Sequence, residues 1–321
     1  MMKKYTSILL FALLFSSCDD GDLIVETFNF EEVSIAQCQI SEDIPLLYKI
    51  KDQESLLLQL SKDDIRNELT LPDQPRIITV DNTTRKLLYR TYDGPITVSN
   101  ICDLIRPATP NILTEWFAAE GKIQITTKPS YTVNEAQNSS RITGYTHSIE
   151  VQNVTYSKPG VQVGPQFIFG DFTTQLLPTE TLNLVFNEAA SQCPDTQKIY
   201  NARGSESFTI DNPESNLIVN TPTLPGAPRV VNIGTTNNKV TFRVYNSSTI
   251  PDGYFCTTPV PTSPSVRETW TAEGGTIEVE TSTLGGNFKH IIKFKNVKLV
   301  KGNVSFMLGN NFAPWELITT P

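Results

Sequence analysis

His147 and His290 are the only histidines in this chain, and a general base or a metal ligand is the chemistry open to them. Each lies on an apolar strand face with no Ser, Cys or acid at a telling spacing, which fits a hydrogen-bonded core or rim histidine better. Trp116 and Trp270 could serve as ring platforms for a sugar. Their small or apolar neighbours fit a core Trp packed near a disulfide better. Arg90 with Tyr92, and Arg243 with Tyr245, fall on outward strand faces, where they could grip a ligand or make ordinary cation–π and cross-strand contacts. Trp116, Trp270, Tyr92 and Tyr245 are therefore the candidate ligand contacts. Acids are scattered, and a glycosidase pair would need two of them on facing walls of a cleft. G-x-S-x-G, H-E-x-x-H, P-loop, EF-hand and dinucleotide patterns are all missing. No catalytic, cofactor-binding or metal-ligating residue is assigned, and the expectation is a protein that is not an enzyme.

The N-terminus reads as an address. Lys3 and Lys4 precede an apolar run from Ile8 to Phe15, which falls well short of the roughly 20 residues a spanning helix needs. The run fits the apolar region of a secretory signal. Phe15-Ser16-Ser17-Cys18 then places small residues before a cysteine, and Asp19, Asp20 and Asp22 follow. This arrangement resembles the lipobox of bacterial lipoproteins, with Phe15 where Leu is the common residue. The resemblance implies removal of residues 1–17 and acylation of Cys18, with several acyl chains as a stable membrane anchor. The acidic tether 18–22 resembles export signals of surface lipoproteins in some Gram-negative bacteria. It implies an outer-membrane, surface-exposed address, with the periplasmic face as the alternative.

The remainder reads as a duplication. Cys102, Pro107, Pro110, Trp116, Ala118, Gly121 and Ile123 match Cys256, Pro261, Pro264, Trp270, Ala272, Gly275 and Ile277, each pair 154 residues apart. Upstream, Lys86, Tyr89, Arg90 and Tyr92 match Lys239, Phe242, Arg243 and Tyr245 at a spacing of 153. Downstream, His147, Ile149 and Val151 match His290, Ile292 and Phe294 at 143, so the second copy is shorter by a loop. The expected domains are 23–172 and 182–321, joined by 173–181, where Pro178 would restrict the angle between them.

With Cys18 lipidated, Cys38, Cys102, Cys193 and Cys256 remain, and an oxidising compartment favours disulfides. Each copy holds one early and one late cysteine, so a unit that once folded alone could form only Cys38–Cys102 or Cys193–Cys256. A zinc site is disfavoured, since no C-x-x-C occurs and the histidines lie in separate copies.

These residues sit on alternating segments. Leu87, Tyr89 and Thr91 share one face of 86–92, and Leu88, Arg90 and Tyr92 the other; 121–127 and 147–152 alternate likewise. Residues 53–60 could pass for a helix, but their counterpart 206–210 looks extended, so both read as strands. The Ala-Glu-Gly steps at 119–121 and 272–274 suggest tight hairpins. The fold class expected is all-β: two tandem homologous antiparallel sandwiches, with barrel-like units as the alternative, and one disulfide each.

Charge and composition narrow the partners. Lys and Arg number 26 against 34 Asp and Glu, a net charge of −8, and loss of Lys3 and Lys4 with the signal makes it −10. Such a surface repels phosphate backbones, which argues against nucleic acid. The expectation is a membrane-anchored lipoprotein with a binding or scaffold role toward a glycan or an envelope protein. A glycan-binding surface lipoprotein is the alternative, and a surface hydrolase a further one.

Overall fold

A computed structural model of the protein describes residues 29–41, 44–71, 73–157, 166–177 and 180–321. Cys18, the acidic tether and Pro178 lie outside these described residues. Its regular structure is nearly all β, as the alternation predicts. In order the strands are β1 (Ala36–Ser41), β2 (Ile44–Lys51), β3 (Glu54–Gln59), β4 (Arg76–Thr79) and β5 (Lys86–Tyr92). A short helix α1 (Val98–Cys102) precedes the long strands β6 (Ile112–Asn134) and β7 (Ser139–Tyr156) and then β8 (Gln166–Gln175). There follow β9 (Ser191–Gln192), β10 (Ile199–Arg203), β11 (Glu206–Asp211), β12 (Arg229–Asn232), β13 (Lys239–Tyr245) and β14 (Val266–Ala272). The last are β15 (Thr276–Leu284), β16 (Asn287–Lys295), β17 (Lys298–Lys301), β18 (Val304–Met307) and β19 (Trp315–Thr319).

By their contacts the residues form two compact units. The first holds the described residues up to Arg66 with Arg76–Ile125 and Ser148–Phe172; the second holds Asn67–Pro75, Thr126–His147 and Thr173–Pro321. These units differ from the expected spans 23–172 and 182–321, because the far ends of β6 and β7 find their partners in the second unit. Ile142 packs on that unit's core, and Arg141 donates to the carbonyls of Met307 and Leu308.

In the first unit one antiparallel sheet, ordered β1-β2-β3-β5-β6-β7-β8 with β4 also on β6, curls around a core. Leu47, Leu58, Leu87, Trp116, Ile123 and Phe169 are buried in that core. The second unit has a seven-stranded sheet, β18-β17-β14-β13-β11-β10-β9, and a four-stranded one, β12-β15-β16-β19. Phe208 of β11 meets Phe294 of β16 and Trp315 of β19 with ring centroids 5.2 and 5.4 Å apart, so the two sheets share one aromatic core. Residues 54–59 and 206–211 are both strands, in keeping with the extended reading.

The Ala-Glu-Gly hairpins do not form. Trp116 pairs with Tyr89 of β5, whereas Ile123, seven residues later on the same strand, pairs with Ile78 of β4. Likewise Trp270 pairs with Phe242 and Ile277 with Val231, in different sheets. The segment is a corner at which the chain leaves one layer for another. Its extra residue keeps the apolar side inward: Trp116 and Ala118 are buried before it, Ile123 and Ile125 after it. Gly275 at the second corner has φ +103°, and a Cβ there would stand 2.8 Å from the Lys295 carbonyl oxygen. Backbone that close accepts only glycine.

Both disulfides form as the cysteine positions require, Cys38–Cys102 and Cys193–Cys256. Each anchors a small second cluster. Leu46, Tyr48, Leu57, Tyr92 and Ile101 surround the first, and Tyr245, Tyr254 and Phe255 the second. Adjacent strand residues point to opposite faces. Since Leu47 and Leu58 belong to the main core, these clusters cover the sheet's other face.

Candidate functional site

The histidines are the most completely determined of the predicted residues. Both are 0 % exposed. His147 Nε2 lies 3.0 Å from Thr174 Oγ1, whose proton goes to Asn67 Oδ1 at 2.5 Å. The hydroxyl can then only accept from the ring, so Nε2 carries the proton and Nδ1 accepts from Thr127 Oγ1 at 3.0 Å. His290 repeats this pattern. Arg229 donates to Thr281 Oγ1, which donates to Nδ1, while Nε2 donates to Thr319 Oγ1 and that hydroxyl donates to Asn220 Oδ1. Burial, and secondarily Arg229, lowers the His290 pKa, which keeps the ring neutral. Neither ring is presented to solvent; each holds strands together. Asn67 and Asn220 carry no motif, which is why sequence reasoning did not single them out.

All four aromatic candidates are buried, and of them only Trp270 borders a cavity. Trp116 packs 4.9 Å from Tyr89 and 6.4 Å from Tyr156, centroid to centroid, inside the first core. It is a core Trp, but the disulfide lies in the cluster on the opposite sheet face, so the expected packing against it does not occur. Trp270 packs on Phe306 at 5.1 Å and Lys301 Nζ covers its ring at 4.9 Å. Tyr92 and Tyr245 do not face solvent either: the disulfide clusters cover them, and their hydroxyls lie 3.3 Å from the Ser55 and Ser207 hydroxyls. None of the four offers an exposed ring platform. Arg90 makes a cross-strand ion pair with Glu115 at 2.5 Å, and Arg243 donates to Thr209 Oγ1.

A concave site is formed by another set of residues, to which Trp270 alone of the four candidates belongs. Within the second unit a cavity of about 780 Å³ is lined by residues of β7, β14, β17 and β18 and by Asn67, Gln175, Leu176, Glu180, Thr181 and Leu182. Glu268, Trp270 and Ala272 share one face of β14; Trp270 and Ala272 are buried and Glu268 is half-buried, so the cavity is the open end of a core face. Its cations are Arg141, Arg267 and Lys301, and its acids Glu180 and Glu268. The cavity thus carries a basic excess in a chain that is acidic as a whole.

The charges are held by specific contacts. Glu268 lies 2.7 Å from Lys301 Nζ and 3.6 Å from Arg267 Nε, and accepts from the Trp270 indole at 3.3 Å. Arg141 stacks 5.4 Å over Phe306 and donates from Nη1 to the Ser140 and Met307 carbonyls and from Nη2 to that of Leu308, at 2.8, 2.9 and 3.0 Å. Burial draws its pKa down, and no acid offsets that among the described residues. A guanidinium remains protonated regardless. Tyr145 is pushed the other way, upward, first by burial and then by Glu268 and Glu180, and so stays a neutral donor.

No group of three or more His, Cys, Asp or Glu suited to a metal occurs among the described residues. No helix among the described residues is long and apolar enough to cross a membrane. The fold and site define an all-β protein with a disulfide in each half and a charged cavity. No family model matches the chain, and neither the curated proteins nor the solved structures hold a significant match.

Proposed function

We propose that this chain is a lipid-anchored envelope protein of the outer membrane, acylated at Cys18, that binds a ligand and does not catalyse. The binding role rests on the cavity of the second unit, whose size falls in the range of small-molecule sites. Its polar groups are pre-positioned by β strands, which favours recognition. The lipid anchor rests on the order Lys3-Lys4, apolar run, Ser16-Ser17-Cys18 and acidic tether. The two disulfides support an oxidising compartment.

A hydrolase would draw on Glu180 and Glu268, the two acids that line the cavity. Glu268 is engaged by Lys301, Arg267 and Trp270, and Glu180 accepts from the Leu177 backbone N–H. Both carboxylates therefore have structural partners, and binding is the better fit.

The anchor is tested by growing the producing cells with an alkyne fatty acid. The wild-type chain takes up label and sediments with membranes, and Cys18→Ser does neither. Unlabelled wild-type protein would refute the anchor. The binding role is tested by indole fluorescence and thermal shift over a panel of saccharides, peptides and lipids, alongside Gln175→Trp, which fills the cavity. At least one class should bind and be blocked by that substitution; a wholly silent panel refutes the role.

A further inference from the structure

We propose that the cavity of the second unit recognises an acidic saccharide, a short glycan bearing a carboxylate or sulfate that is gripped by one edge of Arg141. The inference rests on the binding role above and names the ligand class for the same site.

Arg141 is fixed before any ligand arrives. Two carbonyls occupy Nη1, one occupies Nη2, and Phe306 supports the plane of the group. A guanidinium has five N–H donors, so Nε–H and the second Nη2–H are left. Neither has an acceptor among the described residues. The Nε/Nη2 edge of a guanidinium presents parallel N–H groups, which match the paired oxygens of a carboxylate or sulfate. Holding the fork rigid spares the entropy that a free side chain would lose on binding.

The surrounding charge favours the same ligand. Glu268 is engaged by Lys301 and Arg267, whereas Arg141 meets only carbonyl dipoles and a ring. The lining therefore attracts an anion although the chain as a whole repels one. Two of the lining rings already carry cations, Lys301 over Trp270 and Arg141 over Phe306, so a flat aromatic ligand has no free face to stack on there. What remains suits hydroxyl groups. The Tyr145 hydroxyl, the Gln175 amide and Asn67 Nδ2 line the cavity without a hydrogen-bond partner among the described residues. These are both donors and acceptors, as a polyhydroxylated ring requires.

Calorimetry and indole fluorescence on the full-length protein in detergent test the idea. The probes are trigalacturonic acid, its methyl ester, a sulfated disaccharide with its unsulfated parent, and inorganic sulfate. At least one acidic saccharide should saturate and bind at least about tenfold tighter than its uncharged counterpart, the difference one bidentate charge-assisted contact makes. Whether the uronate or the sulfated sugar binds assigns the anionic group. Arg141→Lys keeps the charge, loses the fork, and should weaken binding by a similar factor. If that variant fails to fold, the acid and ester on the unaltered protein still decide. Equal affinity for acid and ester would overturn the inference, as would inorganic sulfate matching the saccharides. So would binding confined to another ligand class and blocked by Gln175→Trp, an outcome that leaves the binding role standing.

Discussion

Thr281 Oγ1 donates to Nδ1 of His290 at 2.8 Å, and this bond fixes the tautomer of a fully buried imidazole. The folded pKa of His290 lies below its ordinary value through burial and Arg229. A depressed folded pKa means that the unfolded chain binds the proton more readily. The stability His290 contributes is present in full above about pH 6.5 and is lost as pH falls below that. Urea midpoints should therefore drop between pH 7.5 and pH 5, and His290→Gln should flatten the fall. An imidazole that titrates above 6.5 by NMR would contradict this.

Trp116 should matter to folding and not to ligand capture. Its ring is buried among Tyr89, Tyr156 and the core of the first unit. Trp116→Ala should cost about 3–5 kcal/mol. A thermal melt tests this. An unchanged transition temperature would mean the ring is not core.

Opening the Cys193–Cys256 bridge frees a loop spanning a sequence separation of 63 residues and exposes a cluster containing Tyr245, Tyr254 and Phe255. The double substitution to Ala should lower stability by about 2–5 kcal/mol. Denaturation with and without reductant should show the wild-type chain approaching the variant only when reduced.

Gly144 marks a close approach of β7 to β8. A Cβ at this position would lie 2.1 Å from the Thr174 carbonyl oxygen. Thr174 also accepts the hydrogen bond from His147 Nε2. Gly144→Ala must push the strands apart and should cost about 1–3 kcal/mol. Faster hydrogen exchange at Leu176, whose N–H bonds the Thr143 carbonyl, would locate the damage. Wild-type protection there would refute the contact.

Much of this protein is legible from alternation alone. The inward faces of β5, β13 and β15 are read directly from Leu87 and Tyr89, Val240 and Phe242, Ile277 and Val279, because a strand has a period of two. The disulfides follow from the positions of four cysteines. The outward assignment of Tyr92 and Tyr245 failed because alternation tells which residues share a face, not whether something covers it. Bulges just before both tyrosines and the disulfide segments bury that second face. The cavity was missed for a related reason. Comparing the halves picks out matched residues, and of the cavity's lining only Trp270 is among them. Arg141 and Phe306 have no matched partner in the other half.

The sequence by itself determined the strands, the face of each that enters the main core, and the cysteine pairs, because the first two depend on local period and the third on two cysteines falling in each half of the chain. Only the tertiary structure decided that the Ala-Glu-Gly steps are corners, that the far ends of β6 and β7 pack in the second unit, and that Arg141 is pinned over Phe306 beside a cavity. Those outcomes depend on which distant surfaces meet. Contacts between residues more than 150 positions apart leave no periodic trace in the chain.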